Sequence, residues 1–207
     1  MKFIYLHGFA SGPQSAKASF LQTRFAQRDI RLIVPDLAEN DFEHLTITRQ
    51  LSVIERVADG DSCALIGSSL GGYLAALFAN EHPEVQKLVL LAPAFWFARR
   101  WPEQLGEKAI EDWKNTGTMA VFHYVHQRPQ HVWWNLIEDG LLYPPEPGFN
   151  QPALILHGIH DDIVPPSYSQ HFAATRSNVS LRLLSSDHQL TDQSETIWKE
   201  TSAFLLD

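Results

Sequence analysis

Short apolar runs alternate along the chain with helix-length amphipathic segments. The runs are FIYL (3–6), RLIV (31–34), CALIG (63–67), KLVLLA (87–92), ALILH (153–157) and SLRLL (180–184). Continuous runs of this length predict strands buried on both faces, as in a parallel sheet. Between them, apolar positions recur at three- and four-residue steps. Ile47, Leu51, Ile54 and Val57 do so within residues 45–58, the pattern of an amphipathic helix. Residues 14–28 follow Gly12-Pro13, a favourable helix start. Residues 70–80, 167–176 and 191–206 complete the helix set. The alternation predicts an α/β fold, a mostly parallel sheet of about six strands flanked by helices on both faces. In such sheets ligands bind beyond the carboxyl ends of the strands. The residues that follow each run are therefore the ones to read for chemistry.

Residues 94–149 interrupt this rhythm. The segment predicts helices near 102–115, 117–127 and 129–139, followed by the Pro-rich stretch YPPEPGFNQP. A stretch of about 55 residues rarely holds a core of its own. The expectation is one domain over 1–207, with a small helical lid inserted at 94–149. Composition sharpens this picture. Of 23 aromatic residues, 11 fall in the insertion, among them five of the six Trp. They line an acyl pocket, or they hold a small subdomain onto the sheet, and both can be true. Trp96 and Phe97 directly follow a strand end and are the expected substrate-pocket residues.

Charge and cysteine content narrow the function classes. The net charge is −8 and no basic run is present, which argues against a nucleic-acid or anionic-membrane partner. The longest apolar run, LVLLAPAFWFA at 88–98, contains Pro93 and is far shorter than the ~20 residues of a membrane span. The apolar stretch near the N-terminus is too short for a signal peptide. The lone Cys63 rules out an internal disulfide and fits a reducing compartment, so a cytoplasmic location is expected. The oligomeric state is not legible.

The strongest chemical signal is Gly67-Ser68-Ser69-Leu70-Gly71, a G-x-S-x-G pattern with a strand run before it and a helix pattern after it. A turn that sharp strains the serine backbone, and side chains two positions away on either side would clash. The glycines remove them. Ser69 is the expected nucleophile, and a serine hydroxyl needs a base to take its proton. His188 follows the last apolar run and lies at the same edge of the sheet. It in turn needs a carboxylate to orient it. Asp161, in Gly158-Ile159-His160-Asp161-Asp162-Ile163-Val164-Pro165, is the first choice and Asp162 its competitor. Oxyanion donors are expected from the backbone amides of Phe9 and Leu70. His7 and Gly8 form a supporting loop: Gly8 allows a close approach, and His7 braces by hydrogen bonding. His123-x-x-His126 and the group around His157 and His160 lack the H-E-x-x-H pattern of a zinc site. They read as surface or packing histidines, so no metal ligand is assigned. No G-x-G-x-x-G follows a strand, and the Gly-rich turn lacks the Lys-Ser/Thr ending of a phosphate loop.

His7-Gly8, Gly67-x-Ser69-x-Gly71, Asp161-x-x-Val164-Pro165 and His188 together resemble the α/β-hydrolase superfamily, over nearly the whole chain. The opening YLHGFASGPQSAKASFL and the elbow GSSLGGYLAA resemble more narrowly the small bacterial YqiA-like esterases, mainly over the first 80 residues. The resemblance implies an α/β-hydrolase fold and a small-molecule ester or thioester substrate cleaved through an acyl-enzyme, with no metal or organic cofactor. Two other readings stand beside it. The same triad can serve carbon–carbon bond hydrolysis or acyl transfer, and a hydrolase scaffold can bind a ligand without catalysis.

Overall fold

Six strands pair in parallel in a computed structural model that describes residues 1–206. They are β1 (Lys2–Leu6), β2 (Leu32–Ile33), β3 (Cys63–Ser68), β4 (Val85–Leu91), β7 (Ala153–Gly158) and β8 (Val179–Leu184), in the spatial order β2-β1-β3-β4-β7-β8. The missing numbers belong to β5 (Thr118–His123) and β6 (Arg128–Trp133), which form a separate hairpin. All six predicted runs are strands, with RLIV reduced to two residues at one edge.

Side chains alternate between two cores along each central strand, because successive residues point to opposite faces. Ile4, Leu6, Leu65 and Leu90 pack under α2 (Ile47–Ala58), α3 (Leu70–Glu81) and α7 (Pro166–Ala174). Phe3, Tyr5, Ile66 and Val89 pack under α1 (Ala16–Ala26) and α8 (Ser194–Leu206). Burial on both sides is why these runs carry no polar alternation. Helix α2 starts where the Thr46 side chain accepts the Arg49 N–H and ends at Asp59 in a left-handed conformation. No helix among the described residues is long and apolar enough to cross a membrane.

The insertion is only partly helical. The helix predicted at 102–115 is two helices, α4 (Phe97–Leu105) and α5 (Glu107–Thr116), separated by Gly106 at φ +83°. The helices predicted at 117–127 and 129–139 are a correction. Residues 118–133 form the antiparallel hairpin β5–β6, with Thr118 opposite Trp133 and His123 opposite Arg128. Only the short helix α6 (Asn135–Gly140) remains. The reason is local. Gly117, at φ +77°, stops α5. From there burial follows a period of two, with Met119, Val121 and His123 inward and Ala120 and Phe122 outward. Met119 and Phe122 are also three apart, so a short apolar segment imitates helical spacing.

Two backbone hydrogen bonds join the insertion to loops of the main domain: Tyr124 N donates to Ala10 O (2.8 Å) and Trp133 N donates to Glu43 O (2.9 Å). Within the insertion, the buried Trp113 donates its indole N–H to Val132 O (3.0 Å) and ties α5 to the hairpin. The Pro-rich stretch is held where Tyr73 donates its hydroxyl to Pro144 O (2.9 Å).

Candidate functional site

Ser69 joins β3 to α3 with φ +52° and ψ −117°, a conformation that costs a non-Gly residue of order 1–3 kcal/mol. Two close approaches make the turn possible. A Cβ on Gly67 would lie 2.3 Å from Gly71 O, and a Cβ on Gly71 would lie 2.2 Å from Leu6 O. Both clashes are with backbone, which cannot swing away. Gly71→Ala is therefore expected to destabilise the fold by about 3 kcal/mol or more, at the upper end of overpacking costs. Urea unfolding at neutral pH checks this.

His188 stands beside Ser69. Its Nε2 is 3.0 Å from Ser69 Oγ, and its Nδ1 is 2.7 Å from Asp161 Oδ2. With the proton on Nδ1, His188 donates to Asp161 and leaves Nε2 free to accept from the serine hydroxyl. The loop after β8 that carries His188 is pressed against the loop after β7 that carries Asp161. His160 N donates to Ser186 O (3.0 Å), and a Cβ on Gly158 would lie 2.4 Å from that same oxygen.

The Asp161 carboxylate is saturated. Oδ1 accepts the N–H groups of Ile163 (3.0 Å) and Val164 (2.7 Å), and Oδ2 accepts from His188 and from His157 Nε2 (3.0 Å). Burial alone would raise its pKa. The hydrogen bonds from His157 and His188, the charge interaction with His188 and the Val164 amide outweigh burial and hold the carboxyl well below the usual range. Asp162, the competing acid, is exposed. Asp187 accepts the N–H groups of Gln189 (2.8 Å) and Leu190 (3.2 Å) and shapes the turn around His188 instead.

His157 is the residue that the sequence reading placed among surface or packing histidines. It is fully buried at the end of β7. Its Nε2–H is shared between Asp161 Oδ2 and Val164 O (2.9 Å), and its Nδ1 accepts from the buried Ser169 hydroxyl (2.7 Å). A chain thus runs from Ser169 through His157 and Asp161 to His188 and Ser69. The available signal was the spacing His157-Gly158-x-x-Asp161 at a strand end. Replacing His157 with Phe leaves Asp161 one donor short, at a cost of about 1–3 kcal/mol. If that loss is felt in the transition state, kcat falls roughly ten- to hundredfold, with a shifted pH profile and little change in KM. Because His157 acts through Asp161, His157→Gln, which keeps an N–H donor, should recover part of the activity.

The loop after β1 completes the floor. His7 is buried, accepts the Leu37 N–H at Nε2 (3.2 Å) and donates Nδ1–H to Gly8 O (3.0 Å). Burial lowers its pKa, so it stays neutral in this bracing role. A Cβ on Gly8 would sit 3.3 Å from Ser68 O and from Ser69 Cβ. Among the described residues, neither Phe9 N–H nor Leu70 N–H donates to a protein acceptor. Both residues line a cavity of about 800 Å³ that also exposes Ser69 and His188. Phe97, Trp101, Phe122 and Tyr124 line it from the insertion. Trp96 does not; its indole donates to Glu146 (3.0 Å) and pins the Pro-rich return. Of the two expected pocket aromatics, only Phe97 reaches the cavity. His123 and His126 stack on each other at 4.2 Å, and burial of His123 pushes its pKa down to about 4.

A family model described as "Uncharacterised protein family (UPF0227)" matches residues 2–205. The chain belongs to this family. Human "Palmitoyl-protein thioesterase ABHD10, mitochondrial" is 32% identical to this UPF0227 chain over 157 residues, 70% of the chain and 50% of the human protein. The chain spans about half the length or less of the curated relatives it matches. Among solved structures, a protein of Agrobacterium vitis S4 superposes with a TM-score of 0.85 at 24% identity, over 99% of this chain and 87% of that one. Mouse alpha/beta hydrolase domain-containing protein 10 superposes with a TM-score of 0.79 at 20% identity, over 98% and 88%. With the six-stranded parallel sheet, these likenesses show an α/β-hydrolase fold.

Proposed function

We propose that this chain is a serine hydrolase that cleaves a carboxylic ester or thioester through an acyl-enzyme. The observation that carries the reading is the unbroken relay from Ser69 Oγ to His188 (3.0 Å) to Asp161 (2.7 Å) at the floor of a large cavity. Ser69 Oγ attacks the carbonyl carbon while His188 Nε2 takes its proton. Asp161 orients the imidazole and stabilises its cation. The amides of Phe9 and Leu70, free of protein acceptors, and the N-terminus of α3 meet the negative oxygen of the tetrahedral intermediate. The intermediate collapses as His188 gives its proton to the departing alcohol or thiol. Water then attacks the acyl-enzyme as His188 takes its proton, and the second intermediate collapses with the Ser69 Oγ–acyl bond breaking, His188 returning the proton to Ser69 Oγ as the acid leaves.

Residues 94–149 act as the lid and supply the cavity's aromatic wall through Phe97 and Trp101. This favours an apolar acyl chain of small to medium length. Similarity to a protein named as a palmitoyl-protein thioesterase supports thioesters within the substrate class. The lone, buried Cys63 supports a reducing compartment such as the cytoplasm.

A fluorophosphonate should label the protein once, and peptide mapping should place the adduct on Ser69. p-Nitrophenyl and CoA esters of rising acyl length then define the chain preference. An unlabelled Ser69 would sink the reading, whereas turnover of a diketone without ester hydrolysis would redirect it to carbon–carbon chemistry.

A further inference from the structure

The cavity wall carries two cations and no acidic residue, in a protein whose net charge is −8. One cation is Arg100, on α4, which is 7% exposed. Its Nη1 donates to Gln104 Oε1 (2.9 Å) and to Ile163 O, and both partners also line the cavity. Its Nε is buried with no hydrogen-bond partner, and Nη2 makes no hydrogen bond among the described residues. Arg100 forms no ion pair among the described residues. Asp161, whose field reaches it, is already held by two histidines and two amides. The second cation is Lys17, whose ammonium donates to Gln189 O (2.8 Å) beside His188.

A guanidinium taken out of water without a counter-charge is costly, and the edge left without protein acceptors is the Nε–Nη2 edge. Nε is closed off from solvent, so Nη2 is the nitrogen left to meet an incoming carboxylate, through a charge-assisted N–H···O contact. We infer that the substrate bears a carboxylate in addition to its ester or thioester bond, and that Arg100 binds it. Lys17 adds positive potential at the opposite, α1 side of the cavity. This inference rests on the serine-hydrolase reading and narrows it to anionic esters, with Phe97 and Trp101 packing the apolar part between the two functional groups.

The test compares charge at constant length. Mono-p-nitrophenyl adipate carries the carboxylate on the acyl side, and its methyl-capped diester is the neutral control. Hexanoate esters of 3-carboxy-4-nitrophenol and of p-nitrophenol place the same comparison on the leaving group. The expected result is a charged-to-neutral ratio of kcat/KM of about ten- to hundredfold in one arm, the range of a charge-assisted hydrogen bond. Either arm supports the inference and reports which side of the scissile bond bears the charge. Arg100→Gln should bring that ratio to about one, and Arg100→Lys should retain part of it. A ratio, unlike a rate, is insensitive to partial loss of folded enzyme. Equal turnover of charged and neutral esters, or a preference that survives Arg100→Gln, overturns the inference. If no ester turns over at all, the hydrolase reading fails separately. Arg100 is then tested by calorimetric titration of Ser69→Ala with monomethyl adipate against dimethyl adipate. Tighter binding of the monoester, lost in the Ser69→Ala, Arg100→Gln double variant, supports the carboxylate site, and equal binding refutes it.

Discussion

Ser69→Ala is expected to lower kcat on a p-nitrophenyl ester by about 10⁴-fold or more, the scale of losses seen when a serine nucleophile is removed. The loss should fall on kcat rather than KM, because Ser69 contributes one oxygen to a cavity of about 800 Å³ whose walls are otherwise unchanged. The residual rate would come from binding and from the amide donors at Phe9 and Leu70. The variant should gain little stability, since alanine at φ +52° bears the same backbone strain as serine. Single-turnover kinetics and urea unfolding on one preparation separate the two effects. Wild-type turnover in Ser69→Ala would remove the nucleophile assignment outright.

Asp161→Asn should cost a similar factor, about 10⁴-fold in kcat, because an amide can present an N–H to His188 and hold the wrong tautomer. Asp162→Asn should leave the rate within about twofold, since surface changes away from a site are usually small. The reverse pattern would exchange the two roles. Asp161 also predicts a pH effect on stability. Its folded pKa is depressed, so its ionised form stabilises the fold at every pH above the ordinary Asp value of about 3.9. That contribution declines as the pH falls through the lower folded value. The stability gap between wild type and Asp161→Asn should therefore be full at pH 7 and pH 5 and narrow below about pH 4. Urea titrations across that range check the sign.

The difference between Asp161 and Asp162 shows where local sequence stops being informative. Both stand in the same loop, one residue apart; the spacing to Val164-Pro165 favours Asp161 and leaves Asp162 as a competitor. Only the packing of the β7 loop on the β8 loop, through His160 N to Ser186 O, turns one carboxylate toward His188 and leaves the other in solvent. His157 is buried, as a packing histidine is, and its further contacts are out of reach of local sequence for a related reason. A histidine in an apolar strand resembles packing until Ser169, twelve residues later, appears at its other nitrogen. Residues 118–133 predict helix from sequence but form a hairpin, because short apolar segments satisfy both periods. The decision came from Gly117 ending α5 and from long-range hydrogen bonds to Ala10 and Glu43.

By itself, the sequence determined the buried parallel sheet and the shape of the elbow. The unbroken apolar runs of the four central strands can hide from water only between two helical layers, and the two glycines flanking Ser69 remove side chains that its turn would crush. The tertiary structure decided which carboxylate meets His188, which buried histidine steadies it, and that Phe97 rather than Trp96 faces the cavity. It also left Arg100, which forms no ion pair among the described residues, on that cavity wall. These are contacts between segments far apart in the chain, set by how loops close over one sheet edge, and no local periodicity encodes them.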